Sequence, residues 1–401
     1  MSGGGHLVNS GGHGPKLSAA WDVVQRAVHD DEIPGAVALV RWHGRTVLHE
    51  AAGWAALVPE QRAMKADTIF DLASLTKPLV TAPLVLQLVD RGAISLDNPV
   101  SRYLPPLARF ADGGVTIRQL LTHTSGLPAW SPLYVRARTR PDVLDTIAEM
   151  DLAYEPGSRA IYSCLGYIAL GMLLEEVTGR PLDDLACQSL FEPLGLVDLG
   201  YAPRIDRERC AWTERGNVYE QANVAAAGLT FQGWREDHIV GSVHDGNAWY
   251  AMGGISGNAG LFGTAHGVAT LGEMWLGGGR AGRTHVLEEQ TATAAVRDCT
   301  PGLNEARGLG WQINRPSQDH TEMEVSGPRS AGAQLSAHAF GHTGFTGTSI
   351  WVDPTLNLVA VLLTNRVHPM VGDSAAITRL RSRFHDGVAR ALRDTAHSAS
   401  A

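Results

Sequence analysis

The segment "DLASLTKPLV", residues 71–80, contains an unusual lysine. Of the 33 lysines and arginines in the chain, three are lysines: Lys16, Lys65 and Lys77. Lys77 lies between two apolar runs, three residues after Ser74. Because residues i and i+3 share one face of a helix, the segment predicts a helical start at which the Ser74 hydroxyl meets the Lys77 amine.

Arginine could not replace lysine in such a pair. A helix N-terminus and partial burial both disfavour the charged form of an amine and lower its pKa, whereas a guanidinium does not deprotonate in proteins. The sequence therefore predicts that Lys77 exchanges protons near neutral pH. With 22 serines and three lysines, chance gives roughly 0.16 Ser-x-x-Lys pairs, so the pair alone leaves an accidental match open.

Composition limits the classes of function. The 401 residues are 44% apolar and 18% charged, which is typical of a soluble globular protein with one or two domains. The net charge of −8 gives no reason to expect a nucleic-acid partner, and no run of like charges predicts a membrane patch. The apolar runs fall short of the roughly 18 residues that a membrane span needs.

The cysteines and the first residues indicate a compartment. Cys164, Cys187, Cys210 and Cys299 form no CxxC pair, which argues against structural zinc or a disulfide framework. Residues 1–16 are rich in Gly, Ser and His, and are predicted to be a disordered leader without a secretory apolar core. We therefore expect a cytoplasmic protein, or a periplasmic one if an export signal has been removed.

The two ends of the chain carry strand patterns. A helix is predicted over 18 to about 30, followed by two strands around a turn at His43–Gly44. A second hairpin is expected to turn at Asp353–Pro354, and a final helix to cover about 373–393. The fold class expected is α/β (α+β type), with an antiparallel sheet built from both chain ends and flanked by helices.

The middle of the chain reads as helical and rich in loops. Helices are expected to end at Gly92 and Gly179, and another to begin with Pro181 in its first turn. Residues 202–260 are poorly periodic and predict a partly ordered insertion. We expect an α/β sheet domain from 17–72 and 305–397, a mainly helical domain from 73–304, and an active site in the cleft between them.

Two further motifs follow "SLTK" in order: "YSC" at 162–164 and "HTG" at 342–344. The three motifs follow the order of the elements of penicillin-recognising serine enzymes, which are Ser-x-x-Lys, Ser-Asp-Asn and Lys-Thr-Gly. With flanks such as "LLTHTSGLP" and "GHTGFTGTSIWVDP", the sequence resembles the class C β-lactamase and penicillin-binding protein superfamily over residues 17–395. That group includes β-lactamases, DD-peptidases, D-aminopeptidases and carboxylesterases.

The resemblance implies a catalytic set. Ser74 would be the acylated nucleophile, Lys77 would poise the proton network, and Tyr162 would serve as base toward Ser74 and as acid toward the leaving group. The backbone N–H groups of Ser74 and Phe345 would form the oxyanion hole. Because a phenol is a weak base at its ordinary pKa of about 10, we expect adjacent cations such as Lys77 to favour the phenolate.

Two positions depart from the common pattern. Cys164 stands where the family usually has Asn, and a thiol is a weak hydrogen-bond donor. His342 replaces Lys, so the charge of the third motif depends on its surroundings. Substrate contacts are expected from Cys164, His342, Thr343 and Gly344, with a weaker grip on amide side chains and carboxylates. The departures favour esters as substrates.

Other polar or aromatic residues carry weaker predictions. His123 is expected to cap backbone groups, and the Gly-rich stretch before Thr264 to line the cleft and enter a helix capped by Thr264. Substrate contact is an open alternative for several residues otherwise expected to be structural: Trp130, Tyr134, His244, Asp245 and Asn247. No His-Glu-x-x-His or Gly-x-Ser-x-Gly motif occurs, and no metal or cofactor is expected.

The combined motifs predict a serine hydrolase that works through a covalent acyl-enzyme. A carboxylesterase acting on small or medium acyl esters is the first hypothesis, and a D-Ala peptidase or β-lactamase is the alternative. A module that binds penicillin or peptidoglycan fragments with little turnover, and an acyltransferase, also stay open. The expected partner is a small-molecule ester or amide.

Overall fold

The computed structural model describes residues 16–110, 114–315 and 328–400. Residues 1–15 of the predicted leader lie outside the described residues, and Lys16 is exposed just before the first helix. The α-helices of the described ranges are α1 Ser18–His29, α2 Ala82–Asp90, α3 Ile117–Leu121, α4 Asp142–Ala148, α5 Cys164–Thr178, α6 Leu182–Ala186, α7 Val218–Ala226, α8 Ala265–Leu276, α9 Glu289–Ala295 and α10 Ser374–Ser400.

The strands pair into one large sheet and two small ones. They are β1 Gly35–Trp42, β2 Arg45–Ala56, β3 Arg62–Ala63, β4 Phe70–Asp71, β5 Leu199–Tyr201, β6 Leu261–Gly263, β7 Arg280–Ala281, β8 Thr284–His285, β9 Gln312–Ile313, β10 Phe340–Thr343, β11 Ser349–Asp353 and β12 Leu358–Thr364. The large sheet has the order β3-β2-β1-β12-β11-β10-β9, with antiparallel neighbours throughout. The predicted α/β class, with an antiparallel sheet drawn from both chain ends, is confirmed.

Both predicted hairpins are present. The β1–β2 turn places His43 and Gly44 at φ 47° and 72°, the two left-handed positions of a tight hairpin turn. The β11–β12 connection covers 354–357, and the Asp353 carboxylate accepts from the Thr355 backbone N–H at 2.9 Å. The first predicted helix ends one residue early, at His29, whereas the last runs beyond 393 to Ser400.

The sheet separates two apolar layers. Along β1, alternate side chains such as Ala38 pack with α1 and α10 on one face, while their neighbours, such as Leu39, belong to the core shared with α8. The strand is buried on both faces from Gly35 to Arg41, which explains its near-continuous apolar run. This packing fixes the sheet against which the nucleophile segment lies.

The helices of the middle agree with most of the sequence predictions. The α5 helix ends at Gly179, and α8 begins after Thr264, whose Oγ1 accepts from the Gly267 N–H at 3.2 Å. The predicted position of Pro181 in the first turn of its helix is wrong. It lies one residue earlier, as the N-cap of α6, because the helix starts at Leu182.

Residues 202–260 contain the helix α7, a π-helical turn at Asn247–Ala251 and 3-10 turns at Ala202–Arg204 and Arg207–Arg209, joined by irregular segments. The division of the chain into two domains at the predicted boundaries stays a prediction. Within the three described ranges, no helix is both long and apolar enough to cross a membrane.

Candidate active site

Ser74 lies in a tight 3-10 turn, Ala73–Leu75, directly after β4. Ala73 adopts φ 47°, which is uncommon for a residue with a side chain and is kept only where neighbours enforce it. The Asp71 carboxylate enforces it by accepting from the Ala73 N–H at 2.8 Å and from the His244 N–H at 2.7 Å. The Asp71 carbonyl also accepts from Thr346 Oγ1 at 2.7 Å, so the turn is held from two directions.

A π-helical turn, Lys77–Thr81, follows and leads into α2. Proline disrupts a helix interior because it lacks an N–H. The turn before α2 is widened, and Pro83 falls at the start of α2, where its missing N–H is tolerated. Lys77 is the first residue of this turn, and its Nζ lies 3.0 Å from Ser74 Oγ.

Two side chains, those of Lys77 and Tyr162, contact the Ser74 hydroxyl. Ser74 Oγ lies 3.0 Å from Lys77 Nζ and 2.7 Å from the Tyr162 hydroxyl oxygen. Lys77 Nζ also donates to the Asn258 carbonyl at 2.9 Å and lies 3.8 Å from Cys164 Sγ. The structure therefore brings together residues that are distant in sequence in an arrangement suited to moving one proton.

Lys77 is fully buried, with 0% of its surface exposed. Burial lowers the pKa of Lys77 from its ordinary value of 10.5; the neighbouring Cys164 and Asp245 oppose this shift, and the Arg307 charge adds to it. The lowered pKa favours the neutral amine, as the sequence predicts. A neutral amine can accept a proton from Ser74, and an arginine in the same place could not.

The prediction of a Tyr162 phenolate is wrong for the free protein. Burial raises the pKa of Tyr162 well above its ordinary value of 10.0, and the hydrogen bond to Ser74 and the charge of Arg307 offset this only in part. The lowered pKa of Lys77 also reduces the positive charge available beside the phenol. The resting site therefore pairs a neutral phenol with an amine.

The loop before α5 is held by His123. Its Nδ1 accepts from the Ser163 N–H at 3.0 Å, and its ring lies 4.7 Å from that of Tyr162. Burial lowers the pKa of His123 well below 6.5, so the imidazole is neutral and its proton is on Nε2. The predicted capping role of His123 is confirmed.

The third motif ends beside the nucleophile turn. A Cβ on Gly344 would stand 2.5 Å from the Leu72 carbonyl oxygen, so that only a residue without a side chain allows this approach. Thr343 is partly buried, and the Phe345 side chain is 37% exposed, with its ring 5.3 Å from that of Tyr219.

His342 is buried behind this turn, with 1% of its surface exposed and its ring 5.9 Å from that of Tyr162. Its Nδ1 lies 2.8 Å from the Thr343 carbonyl oxygen. Burial, followed by the charges of Lys77 and Arg307, lowers the pKa of His342 well below 6.5. The third motif therefore holds a neutral ring rather than a cation at its first position.

Cys164 is the first residue of α5 and is partly buried. Burial raises the pKa of its thiol, and Lys77 opposes that shift. The side chain is therefore a thiol rather than a thiolate, and it lies at the wall of the site next to Lys77.

Several weaker candidates are engaged elsewhere. His244 Nε2 lies 2.9 Å from Glu214 Oε1, and the Asp245 carboxylate accepts from the Asn258 side chain at 3.3 Å. Asn247 is fully buried, and its side chain bonds the Ser131 and Leu133 backbone.

The two aromatic candidates differ in their surroundings. Tyr134 is buried and donates to Glu220 Oε1 at 2.8 Å. Trp130 lines a pocket of about 390 Å³ beside Pro128, Val135 and Met150. The structure thus assigns Tyr134 to packing and leaves Trp130 at a cavity.

Two residues of the site, Asn258 and Arg307, were not predicted individually from the sequence. The Asn258 carbonyl that binds Lys77 belongs to the Gly-rich stretch expected to line the cleft, and a Cβ on Gly257 would stand 2.2 Å from the Tyr167 carbonyl oxygen. That close approach is what the glycines signal. Arg307, 5.8 Å from the Tyr162 ring centre, carried no signal, since it is one arginine among thirty. Within the described ranges, no group of three or more His, Cys, Asp or Glu side chains could hold a metal ion.

An antiparallel sheet beside a serine that contacts a buried lysine and a tyrosine is typical of the β-lactamase-fold serine hydrolases. The chain belongs to the beta-lactamase family, whose family model matches residues 22–383. It is 31% identical over 325 residues to a putative D-alanyl-D-alanine carboxypeptidase of Salmonella agona (strain SL483), covering 77% of this chain and 71% of that protein.

Solved structures share the fold. EstCE1, described as a hydrolase with promiscuous acyltransferase activity, superposes with a TM-score of 0.68 at 25% identity over 92% of this chain and 98% of its own. A family VIII carboxylesterase superposes with a TM-score of 0.67 at 22% identity over 95% and 99% of the two chains. At that identity the second match shows the fold alone.

Proposed function

We propose that this protein is a carboxylesterase that forms an acyl-enzyme on Ser74. The observation that carries the proposal is the contact of Ser74 Oγ with both Lys77 Nζ, at 3.0 Å, and the Tyr162 hydroxyl, at 2.7 Å. An activated nucleophile needs a proton acceptor and a proton donor within hydrogen-bond reach, and this site offers one of each.

The proposed acylation follows from the protonation states. Ser74 Oγ bonds to the ester carbonyl carbon while its proton passes to the neutral Lys77 amine. The backbone N–H groups of Ser74 and Phe345 receive the developing oxyanion. As the tetrahedral adduct collapses, the C–O bond to the leaving alcohol breaks and that oxygen takes the proton of Tyr162. The proton held by Lys77 then restores the phenol.

Water attacks the acyl-enzyme in the second half of the cycle. The same two groups act in reverse order, with Tyr162 and Lys77 accepting the proton of water and returning one to Ser74. Free acid and a regenerated serine hydroxyl result, so that atoms and protons balance.

The surroundings of the site support esters as substrates. His342 is neutral, which leaves the third motif without a cation for a substrate carboxylate. Cys164 offers a weak donor where an amide side chain would bind an acylamino group. We place Cys164, His342, Thr343 and Gly344 at or just behind the substrate wall, where they favour an uncharged substrate.

A D-Ala peptidase or β-lactamase is the second candidate, supported by the 31% identity to a putative D-alanyl-D-alanine carboxypeptidase. Such substrates carry a carboxylate, which a neutral His342 holds weakly. Interception of the acyl-enzyme by an alcohol would give acyl transfer, an activity that the description of EstCE1 includes. The complete set of Ser74, Lys77 and Tyr162 argues against a module that binds without turnover.

The location of the protein stays a proposal of its own. We propose the cytoplasm, with the periplasm as the alternative, because Cys164, Cys187, Cys210 and Cys299 are free thiols, as is usual in a reducing compartment.

The test compares kcat/KM for a p-nitrophenyl ester, nitrocefin and a D-Ala-D-Ala peptide. We expect the ester to exceed both others by more than about tenfold, a preference that one missing charged contact supplies. A peptide or β-lactam that exceeds the ester by that factor rejects the esterase assignment. Labelling by a fluorophosphonate should occur at Ser74 in the wild type and be absent from Ser74→Ala.

A further inference from the structure

We propose that Arg307 is a positioning residue of this site, whose buried guanidinium fixes the Tyr162 ring and supplies a permanent positive charge behind the catalytic proton network. The inference rests on the proposed function, because it assigns Arg307 a part in activating Ser74. It concerns a residue that lies outside all three sequence motifs.

Arg307 is unusually placed for a charged side chain. It is 2% exposed, and its Cζ lies 5.8 Å from the centre of the Tyr162 ring. Its Nε donates to Glu305 Oε2 at 2.7 Å, and its Nη2 bonds the same oxygen. Nη1 is buried without a hydrogen-bond partner among the described residues. A buried charge that is only partly paired is costly, and a structure that keeps one beside a reactive centre indicates a role there.

The loop that carries Arg307 is attached to the segment that carries Tyr162. The Asn304 side chain accepts from the Ala160 N–H at 2.9 Å and donates to the Ala160 carbonyl at 2.9 Å, two residues before Tyr162. The Arg307 N–H donates to Thr300 Oγ1 at 2.9 Å. Backbone and ring of the Tyr162 segment are therefore both held by residues 304–307.

The charge of Arg307 acts on the site in one direction. It lowers the pKa of Lys77, after the larger effect of burial, and it lowers the pKa of Tyr162 against the larger raising effect of burial. The first shift leaves more of Lys77 in the neutral form that can accept the serine proton, and the second makes Tyr162 a better proton donor. An arginine keeps its charge throughout the pH range of an enzyme assay, so this influence does not titrate away.

Other ionisable groups face the same two side chains. They are Cys164, Asp245, His123, His342 and Tyr167. The two histidines have pKa values well below 6.5 and stay neutral in the assay range, and burial raises the pKa of the Tyr167 hydroxyl above its ordinary value. Burial also raises the pKa of Cys164, whereas Asp245 favours the charged form of Lys77. These neighbours are the same in the wild type and in an Arg307 variant. A difference between the pH profiles of the two proteins therefore reports the charge of Arg307.

The test measures the rate constant of fluorophosphonate labelling of the full-length protein against pH. In this reaction the P–F bond breaks, the Ser74 Oγ–P bond forms, and the serine proton passes to Lys77. The rate rises with pH as Lys77 loses its proton. We expect Arg307→Met to label at least about tenfold more slowly and to move this rise about half a pH unit or more to higher pH.

Three further variants separate charge from structure. Glu305→Gln removes the counter-charge of Arg307 and should move the rise in the opposite direction, to lower pH. Asn304→Ala removes the backbone attachment and should slow labelling without moving the rise. Arg41→Met, in strand β1, is the matched control, because Arg41 is another buried arginine paired with a glutamate, Glu273; its profile should match the wild type.

The outcomes are distinguishable. A wild type that is not labelled at Ser74 refutes the proposed function and the role of Arg307 with it. A labelled wild type together with an unmoved rise in Arg307→Met refutes the role of Arg307 alone. If Arg307→Met does not fold, Glu305→Gln replaces it in the test, because glutamine keeps the shape of the glutamate side chain. A Glu305→Gln labelling rate that rises at the same pH as in the wild type then refutes the role of Arg307.

Discussion

The large sheet and the polar cluster beside the site bury their side chains by different rules. In the sheet, β12 is buried at every position from Leu358 to Thr364, and its side chains alternate between two apolar layers. The polar cluster consists of Asp71, Glu214, Glu220, His244 and Asp245. All of these side chains except that of Asp245 are buried. Alternation decides which apolar layer each side chain of the sheet enters, whereas hydrogen-bond partners hold the polar side chains of the cluster.

This contrast separates residues that stabilise the fold from residues that serve the chemistry. Apolar burial is non-directional and tolerates exchange of similar side chains, whereas a buried charge depends on each partner being in place. Asp71 links the cluster to the nucleophile turn through Ala73. We therefore expect changes in the sheet to affect folding, and changes around Ser74 to affect chemistry.

The largest effect should follow from Lys77→Arg. The arginine keeps the positive charge but cannot accept the serine proton, so kcat/KM for a p-nitrophenyl ester should fall about a thousandfold. Lys77→Met should fall by a similar factor, because proton acceptance rather than charge is what the site loses. A Lys77→Arg enzyme within about tenfold of the wild type, with its fold checked by circular dichroism, contradicts the assigned role.

Leu362→Ala should give a large effect of the opposite kind. Leu362 is fully buried in β12 on the face covered by α1 and α10. Its truncation should lower the free energy of unfolding by about 2–5 kcal/mol in urea titrations, through lost burial and a residual cavity. At 25 °C, kcat/KM of the variant should stay within about twofold of the wild type. A large loss of activity in the folded variant would contradict the view that the sheet governs stability and the site governs chemistry.

The smallest effect concerns Glu220. Burial, and then the charge of Asp245, raise the pKa of Glu220 to about 7. Because the folded pKa lies above the ordinary value of 4.5, the stabilising contribution is complete at low pH and is lost as the pH rises through about 7. Wild-type unfolding free energy should therefore fall by about 1–3 kcal/mol between pH 5 and pH 8 relative to Glu220→Gln.

The hydroxyl of Tyr134 can rotate to accept from the glutamine amide, so the variant keeps a partner at this position. Equal pH dependence of the two proteins would show that Glu220 ionises freely. Burial in the polar cluster would then have no effect on the ionisation of Glu220, and the contrast with the apolar sheet would not extend to electrostatics.

The parts of the molecule that have a repeating pattern or a rare residue could be predicted from the sequence. Both hairpins, the ends of α1 and α5 and the meeting of Ser74 with Lys77 follow from alternation, capping and the scarcity of lysine. Placing Tyr162 and Phe345 needed the family resemblance, since no periodicity joins them to Ser74.

The rest could not be read from the sequence because it depends on burial. The protonation of Tyr162 and His342 is set by desolvation, which is a property of the folded interior. Arg307 is chosen by its position behind Tyr162, and the chain contains twenty-nine other arginines that look the same. The π-helical turn at Lys77–Thr81 likewise reflects packing rather than a local preference.

The pairing of β1 with β12, which sets Ala36 opposite Thr364, has a consequence for the order of synthesis. As the chain leaves the ribosome, the first hairpin emerges long before its neighbour in the sheet, and Ser74 emerges before Tyr162, Asn258 and Gly344. A nascent chain that ends before Tyr162 carries the nucleophile without its surroundings, and one that ends before β12 still leaves the β1 edge of the sheet unpaired. Reactivity therefore arises late, when the last strands enter the sheet.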